Sequence, residues 1–384
     1  MADGNARAVV AGDRDRAQKL KVMIDGFFLD RPYGFGRYLR ELIEALDRHA
    51  PEIDLAIAIR PEAAEVATHL APRAAIIRGP RLNYISWEQH AIPRLARAAR
   101  AGIIHSPANT RPLFRRGALG VVTVHDTMFN RQNLFAGSVS DIAYRAYCKL
   151  CLRIVARSND RVASVSQMTA KDLLADYQLG SEVIYNTASG FAQSSGSAVA
   201  AGEYFLHRGG TSPHRNTLAV VQAFAVSKLA SRGVELRVFG VGDNSAFARS
   251  VEASGIRFLP RISDAELAAQ YRGAIAVLAL SLEEVLGLPI IEAFALGSPV
   301  IASDRAPMNE IAGTAALLVD PTDQDAIRIA IERLHFDREL REKLRAAGEQ
   351  RASAFDHPTI ARQLSALYRS AAEAVPAHPP VAQT

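Results

Sequence analysis

The chain has two cysteines and one tryptophan in 384 residues. Two cysteines cannot build a disulfide framework. Cys148 and Cys151 form a C-x-x-C pair, but no second Cys/His pair completes a zinc site. The surrounding "IAYRAYCKLCLRIVA" has helical apolar spacing, which predicts buried thiols rather than redox or metal chemistry. No run of roughly 18 apolar residues exists, so no membrane-spanning helix is expected. Residues 1–20 are charged and lack the apolar segment of a secretory signal, which points to the cytoplasm. Internal repeats, base-reading motifs and an aspartate pair in a metal-binding context are likewise missing from the sequence.

What is present describes a folded protein. At 49% hydrophobic and 22% charged, the chain is longer than one core usually organises, which suggests two domains. The formal net charge of +5 favours anionic partners: nucleic acid, phosphate-bearing small molecules or acidic membrane surfaces. Short apolar runs alternate with helical patterns: "KVMID", "GIIHS", "GVVTVHD", "RVASVS" and "EVIYN", then "EYFLH", "ELRVFG", "AIAVLAL" and "SPVIAS". Such alternation predicts an α/β fold of parallel sheets covered by helices. The Ser/Gly/Ala-rich stretch 186–203 reads as a linker. The expected plan is a flexible segment 1–20, Rossmann-like domains at 21–190 and 191–355 facing across a cleft, and a segment 356–384 holding a final helix and a disordered tail.

The segment "SLEEVLGLPIIEAFALGSPVIAS" (281–303) follows a buried-strand pattern and keeps two acids, Glu284 and Glu292. Pro289 suits the first turn of a helix ending near Gly297, which puts Glu284 in the loop and Glu292 in the first helical turn. Gly287 allows close backbone approach to a ligand, and free N–H groups at the helix start favour an anion. Two acids beside an anion site suit the hydroxyl groups of sugars and riboses.

This segment resembles the donor-site motif "EGFGLPxxEAxxxGxPV" of family 4 glycosyltransferases, retaining enzymes of the two-domain GT-B fold, with Val285-Leu286 in place of Gly-Phe. The resemblance implies that Glu284 meets donor-sugar hydroxyls. It further implies that the backbone at Leu286, Gly287 and Leu288 meets sugar and phosphate, and that Glu292 holds the ribose. "YFLHRGGTSPHRNTLAVVQAFA" resembles the family's strand, "GGxxPRKN" and helix. Gly209 and Gly210 then approach the donor, Arg215 stands for the lysine that binds diphosphate, His214 replaces an arginine, and Asn216 closes the motif. In "KVMIDGFFLDRPYGFGRYLRELIEAL", Gly34 and Gly36 precede a helix whose Leu39, Leu42, Ile43 and Leu46 share a face. Leu39 occupies the third-glycine place of a dinucleotide fingerprint, which disfavours a nicotinamide enzyme. The family's "GGxGRY" at this point approaches donor or acceptor.

His125 and Asp126 end the strand "GVVTVHD", where the family has a similar pair, and His125 is expected to contact the transferred sugar. His105 is assigned to shaping the acceptor side, and His357 stands where the family commonly has Trp. The resemblance spans roughly residues 21–370. It implies a metal-independent hexosyltransferase that uses a nucleotide-diphosphate sugar, with no cofactor and no side-chain nucleophile. Mannose is the first choice and rhamnose the next, moved to a glycan or lipid-linked acceptor, with peripheral contact to an anionic inner membrane face. The alternatives are a catalytically inactive sugar-nucleotide binder and a basic nucleic-acid-binding protein. The second rests on Arg94, Arg97 and Arg100 at helical spacing.

Overall fold

The computed structural model describes residues 19–373 apart from 32–33, 116, 131–138, 195–202, 244 and 252–253. The start of the chain, the middle of the expected linker and the Pro-rich end lie outside the described residues.

The first sheet contains β1 (Leu20–Asp25), β2 (Ile53–Ile59), β3 (Ala75–Arg78), β4 (Ile103–Ser106), β5 (Leu119–Val124), β6 (Arg161–Ser164) and β7 (Glu182–Val183). The second contains β8 (Tyr204–Arg208), β9 (Glu235–Phe239), β10 (Ile256–Phe258), β11 (Val277–Ala279), β12 (Val300–Ser303) and β13 (Leu317–Val319). Their orders are β3-β2-β1-β4-β5-β6-β7 and β10-β9-β8-β11-β12-β13, with parallel pairing throughout, for example Ile24↔His105 and Leu278↔His207. Each sheet is therefore doubly wound, and the order reverses between β1 and β4 and between β8 and β11. Helices on both faces explain why β11 and β12 are continuous apolar runs with every residue buried. Two doubly wound sheets joined in this way form the α/β GT-B architecture.

Four strands, β2, β3, β10 and β13, were not among the expected ones. Three of them lie at or beside sheet edges and are short and part-exposed, so the apolar signal is weak. β2 is buried, but its "IDLAIAI" mixes alanine with aliphatic residues and fits helical and extended patterns alike.

The helix Phe35–His49 packs Leu39, Leu42, Ile43 and Leu46 into the first core. The last helix, His357–Glu373, adds Ile360, Ala361, Leu364, Leu367 and Tyr368 to that same core. His105 is fully buried there, with Nδ1 at 2.7 Å from the Tyr368 hydroxyl and Nε2 at 2.8 Å from Thr123 Oγ1, so it organises the core instead of facing an acceptor. Further ties join the halves. The Glu41 carboxylate accepts from the Gly190 and Phe191 amides, each at 3.0 Å, and meets His357 Nε2 at 2.7 Å. Glu310 accepts from the Gln167 amide at 2.8 Å and from the Tyr185 hydroxyl at 2.9 Å.

Candidate functional site

A cavity of about 690 Å³ opens at the carboxyl ends of β8 and β11, where the second sheet's strand order reverses. β8 runs into the turn Gly209–Arg215, and β11 runs into the loop that carries Glu284. The cavity gathers Gly209, Gly210, His214, Arg215, Glu284 and Leu288 from these segments, with Gly34 reaching in from the other domain. Residues more than seventy positions apart thus line one space because two parallel strands lie side by side.

The Arg215 guanidinium contacts the Glu284 carboxylate, which also accepts from Ser281 Oγ at 3.1 Å. A cation and an acid stand side by side on the wall. The two glycines of the β8 turn have specific packing reasons. A Cβ at Gly210 would come within 2.9 Å of Arg215 Cγ, and one at Gly209 within 2.7 Å of Thr217 Oγ1. Their amides are already engaged, Gly209 N–H by the Phe239 carbonyl at 2.9 Å and Gly210 N–H by Thr217 Oγ1 at 3.0 Å. Side-chain cations therefore carry more of any anion contact than this turn's glycine amides.

Several expected site residues sit behind the wall. Asn216 adopts a left-handed backbone (φ 58°) and donates to the Leu280 and Pro321 carbonyls at 3.0 and 2.7 Å, which ties the β8 turn to the end of β11. Leu286 is buried in the second domain's core. Gly287 (φ 93°) precedes the helix Leu288–Ala295 and turns Leu288 toward the cavity. Gly36 lies inside the first helix, where a Cβ would collide with the Arg31 and Phe28 carbonyls.

Glu292 is the fifth residue of its helix, beyond the expected first turn, and is fully buried. Its Oε2 takes Arg208 Nη1 at 2.5 Å and the Tyr271 hydroxyl at 2.6 Å, while Oε1 lies 3.0 Å from Arg37 Nη2 of the opposite domain. Burial alone would raise its carboxyl, but Arg208 and then Arg37 hold it below the usual range. The structure places it behind Arg208, which itself lines the cavity.

His125 lines neither this cavity nor the smaller one described next. It is packed edge-on against Phe35 and Tyr38, with Nε2 at 2.9 Å from the Pro107 carbonyl. Burial pushes its pKa down to about 4 despite that hydrogen bond, so the ring is neutral and Nδ1 is left as an acceptor. Its neighbours Asp126 and Thr127 line a cavity of about 200 Å³ with Asp172, Glu283 and Arg305, and Glu284 forms a wall of both spaces.

Sequence reasoning missed Arg208, Phe239, Gly240, Gly242, Leu259 and Pro260 on the larger cavity. "FGVGD" after β9 was the available signal, since Gly240 and Gly242 have φ of 98° and 84° at the end of a parallel strand. Cys148 and Cys151 are buried, and burial pushes their thiols up to about 12 and 11, which leaves them unreactive. No group of three or more His, Cys, Asp or Glu suited to a metal occurs among the described residues. No helix among them is long and apolar enough to cross a membrane.

The family models for group 1 glycosyl transferases and for glycosyltransferase family 4 match residues 198–351 and 32–188. The O-antigen chain mannosyltransferase RfbU of Salmonella typhimurium is 28% identical over 239 residues, which cover 59% of this chain and 63% of that protein. O-antigen chain mannosyltransferase B of Escherichia coli is 29% identical over 173 residues, 43% of this chain and 45% of that one. Each alignment spans less than two thirds of the relative's length. A glycosyltransferase structure from Rickettsia africae superimposes with a TM-score of 0.70 at 16% identity, covering 93% of this chain and all of the other.

Proposed function

Because the chain belongs to the group 1 glycosyltransferases of family 4, with the GT-B fold, we propose that it transfers a hexose with retention from a nucleotide-diphosphate sugar to a glycan or lipid-linked acceptor. The observation that carries this reading is the Arg215–Glu284 pair on the wall of the 690 Å³ cavity. Arg215 stabilises the departing diphosphate, and Glu284 accepts hydrogen bonds from the sugar. Phe239, Leu259 and Pro260 offer an apolar wall for the base. The 200 Å³ cavity across Glu284 receives the acceptor, with Asp126, Thr127 and Asp172 on its wall to meet acceptor hydroxyls. Retention then follows from same-face attack, in which the leaving phosphate takes the acceptor's proton. Exposed Arg94, Arg97 and Arg100 are the proposed contact with anionic lipid. Mannose is the first sugar choice, in keeping with the names of the two bacterial relatives.

A thermal-shift panel of nucleotide sugars followed by a transfer assay tests this. A bound donor at 100 times its Kd raises stability by about 2.7 kcal/mol. A panel in which no nucleotide sugar shifts melting, while duplex DNA does, would reject the proposal. Arginine supplies the charge that leaving-group departure requires, so transfer is expected to survive EDTA. Activity lost to EDTA and restored by Mg²⁺ or Mn²⁺ would reject metal independence.

A further inference from the structure

We propose that the reacting unit of the acceptor is an uncharged sugar, and that Asp172 is the residue that selects it over a phosphorylated one. This inference rests on the glycosyltransferase reading above and concerns the 200 Å³ cavity across Glu284. Asp172 lies on the helix Gln167–Tyr177, which Ser166 caps and which Thr169 Oγ1 ties to the His125 carbonyl at 3.0 Å. Those two bonds hold the carboxylate at the carboxyl end of β5, where its Oδ2 accepts from Thr127 Oγ1 at 2.8 Å. Thr127 is a neutral partner, and no ion pair to Asp172 occurs among the described residues. The half-buried acid therefore keeps its charge and an oxygen, Oδ1, for whatever enters the cavity.

Charge and shape agree on the occupant. Asp126, Glu283 and Glu284 line the same cavity as Asp172, and Arg305 is the only basic side chain among the described residues of its wall. Arg305 leans toward Asp320 at 3.7 Å, and Arg215 is engaged with Glu284 from the donor side. A phosphate on the reacting unit would thus be brought against the Asp172 charge without an arginine fork set aside to receive it. A hydroxyl group has the opposite fate, because it donates to the carboxylate. An acid placed this way penalises the wrong acceptor and costs the right one nothing. The wall also has an apolar part, made by Met128, Met168, Leu282 and Ala306. A pyranose ring matches both parts, with hydroxyl groups along its edge and C–H groups on its face. The volume leaves room for one such ring, so phosphates farther along a lipid-linked acceptor lie outside the reach of Asp172.

The test uses the full chain, the nucleotide sugar that the wild type hydrolyses fastest, and two sets of acceptor probes. The neutral set holds the octyl glycosides of mannose, rhamnose, glucose, galactose and N-acetylglucosamine. The anionic set holds octyl mannoside 6-phosphate, octyl glucuronide and myo-inositol 1-phosphate. At least one neutral glycoside is expected to accept, with kcat/KM at least about tenfold above every anionic probe. An anionic probe within that margin, or transfer to no neutral glycoside by a protein that still hydrolyses the donor, overturns the proposal. Asp172→Asn keeps an oxygen for the Thr127 hydroxyl and removes the charge. Its KM for the neutral acceptor is expected to rise at least about fivefold with the donor KM unmoved, while the anionic probes gain on the neutral ones. A merely structural Asp172 would lower Tm and weaken both sets alike, and an unchanged ratio of anionic to neutral kcat/KM overturns its selecting role. Failure of the wild type to hydrolyse or transfer from any nucleotide sugar refutes the underlying function, and it is read before any acceptor is added.

Discussion

Single side chains in this protein work as held pairs. Arg215 is fixed by Glu284 at the edge of the cavity, so its removal costs a charge and frees an acid on the cavity wall. A charge-assisted contact of this kind is worth about 1.5 to 3 kcal/mol in binding. Steady-state transfer by Arg215→Ala should therefore fall at least tenfold, with Arg215→Lys recovering much of the loss as a point charge. An Ala variant as active as wild type would make Arg215 a turn residue only. Asp25 is a different case. It is buried at the end of β1, accepts from Trp87 Nε1 at 2.8 Å and the Phe27 amide at 3.0 Å, and is pushed up to about 7 chiefly by burial. For an acid raised in the folded state, the fold binds the proton more tightly than the unfolded chain does. Stability is then lost as pH rises from about 4 to about 7, at up to roughly 1.4 kcal/mol per unit. Asp25→Asn keeps an acceptor oxygen without the charge, so denaturant melts should show it gaining on wild type from pH 4 to pH 8. A constant difference across that range would refute the assignment.

At the scale of elements, the glycines of one motif divide their labour. Gly34 caps the first helix at φ 58°, lines the cavity and has open space where a Cβ would stand. Gly36 is boxed in by two carbonyl groups. Gly36→Ala is expected to destabilise by about 1 to 3 kcal/mol through overpacking, seen as a lower Tm. Gly34→Ala costs about 1 to 2 kcal/mol of backbone strain and should also raise the donor KM, an effect absent from Gly36→Ala. Equal KM values in both would detach Gly34 from the site. The sequence pattern marked both glycines but could not assign their jobs, because the Arg31 and Phe28 carbonyls meet Gly36 only once the preceding loop folds back. Glu292 teaches the same lesson: its spacing from Glu284 was legible, but its pairing depends on Arg208 at the end of β8 and Arg37 from the other domain.

Over the whole molecule, the first helix is the fastening between halves. Arg37 reaches Glu292, and one turn later Glu41 takes two amides of the connecting segment and the His357 ring. Arg37 also stacks on Phe191 at 4.3 Å, so the contact has an aromatic component. Glu41→Ala would strand the buried Phe191 amide, at a cost of about 1 to 3 kcal/mol, and release the part-buried Gly190 amide. Calorimetry is then expected to show one unfolding transition for the wild type and two for the variant, one per domain. One sharp transition in the variant would place the coupling elsewhere, with Glu310 and the packing of the last helix as the remaining ties.

The local pattern determined the class of the fold, because alternating buried runs and amphipathic helices leave parallel, helix-covered sheets as the way to bury both faces of each strand. It determined the β8 turn and the β11 loop as chemical segments, because glycine, proline and charged residues at strand ends have few structural reasons to cluster there. Edge strands escaped it, since a part-exposed strand carries half the apolar signal. Tertiary structure alone decided which of the marked residues face the cavity. β8 and β11 are more than sixty residues apart in sequence and neighbours in the sheet, and only that adjacency seats Arg215 on Glu284 and Arg208 on Glu292. Electrostatic partnership depends on distance in space, which a linear spacing does not encode.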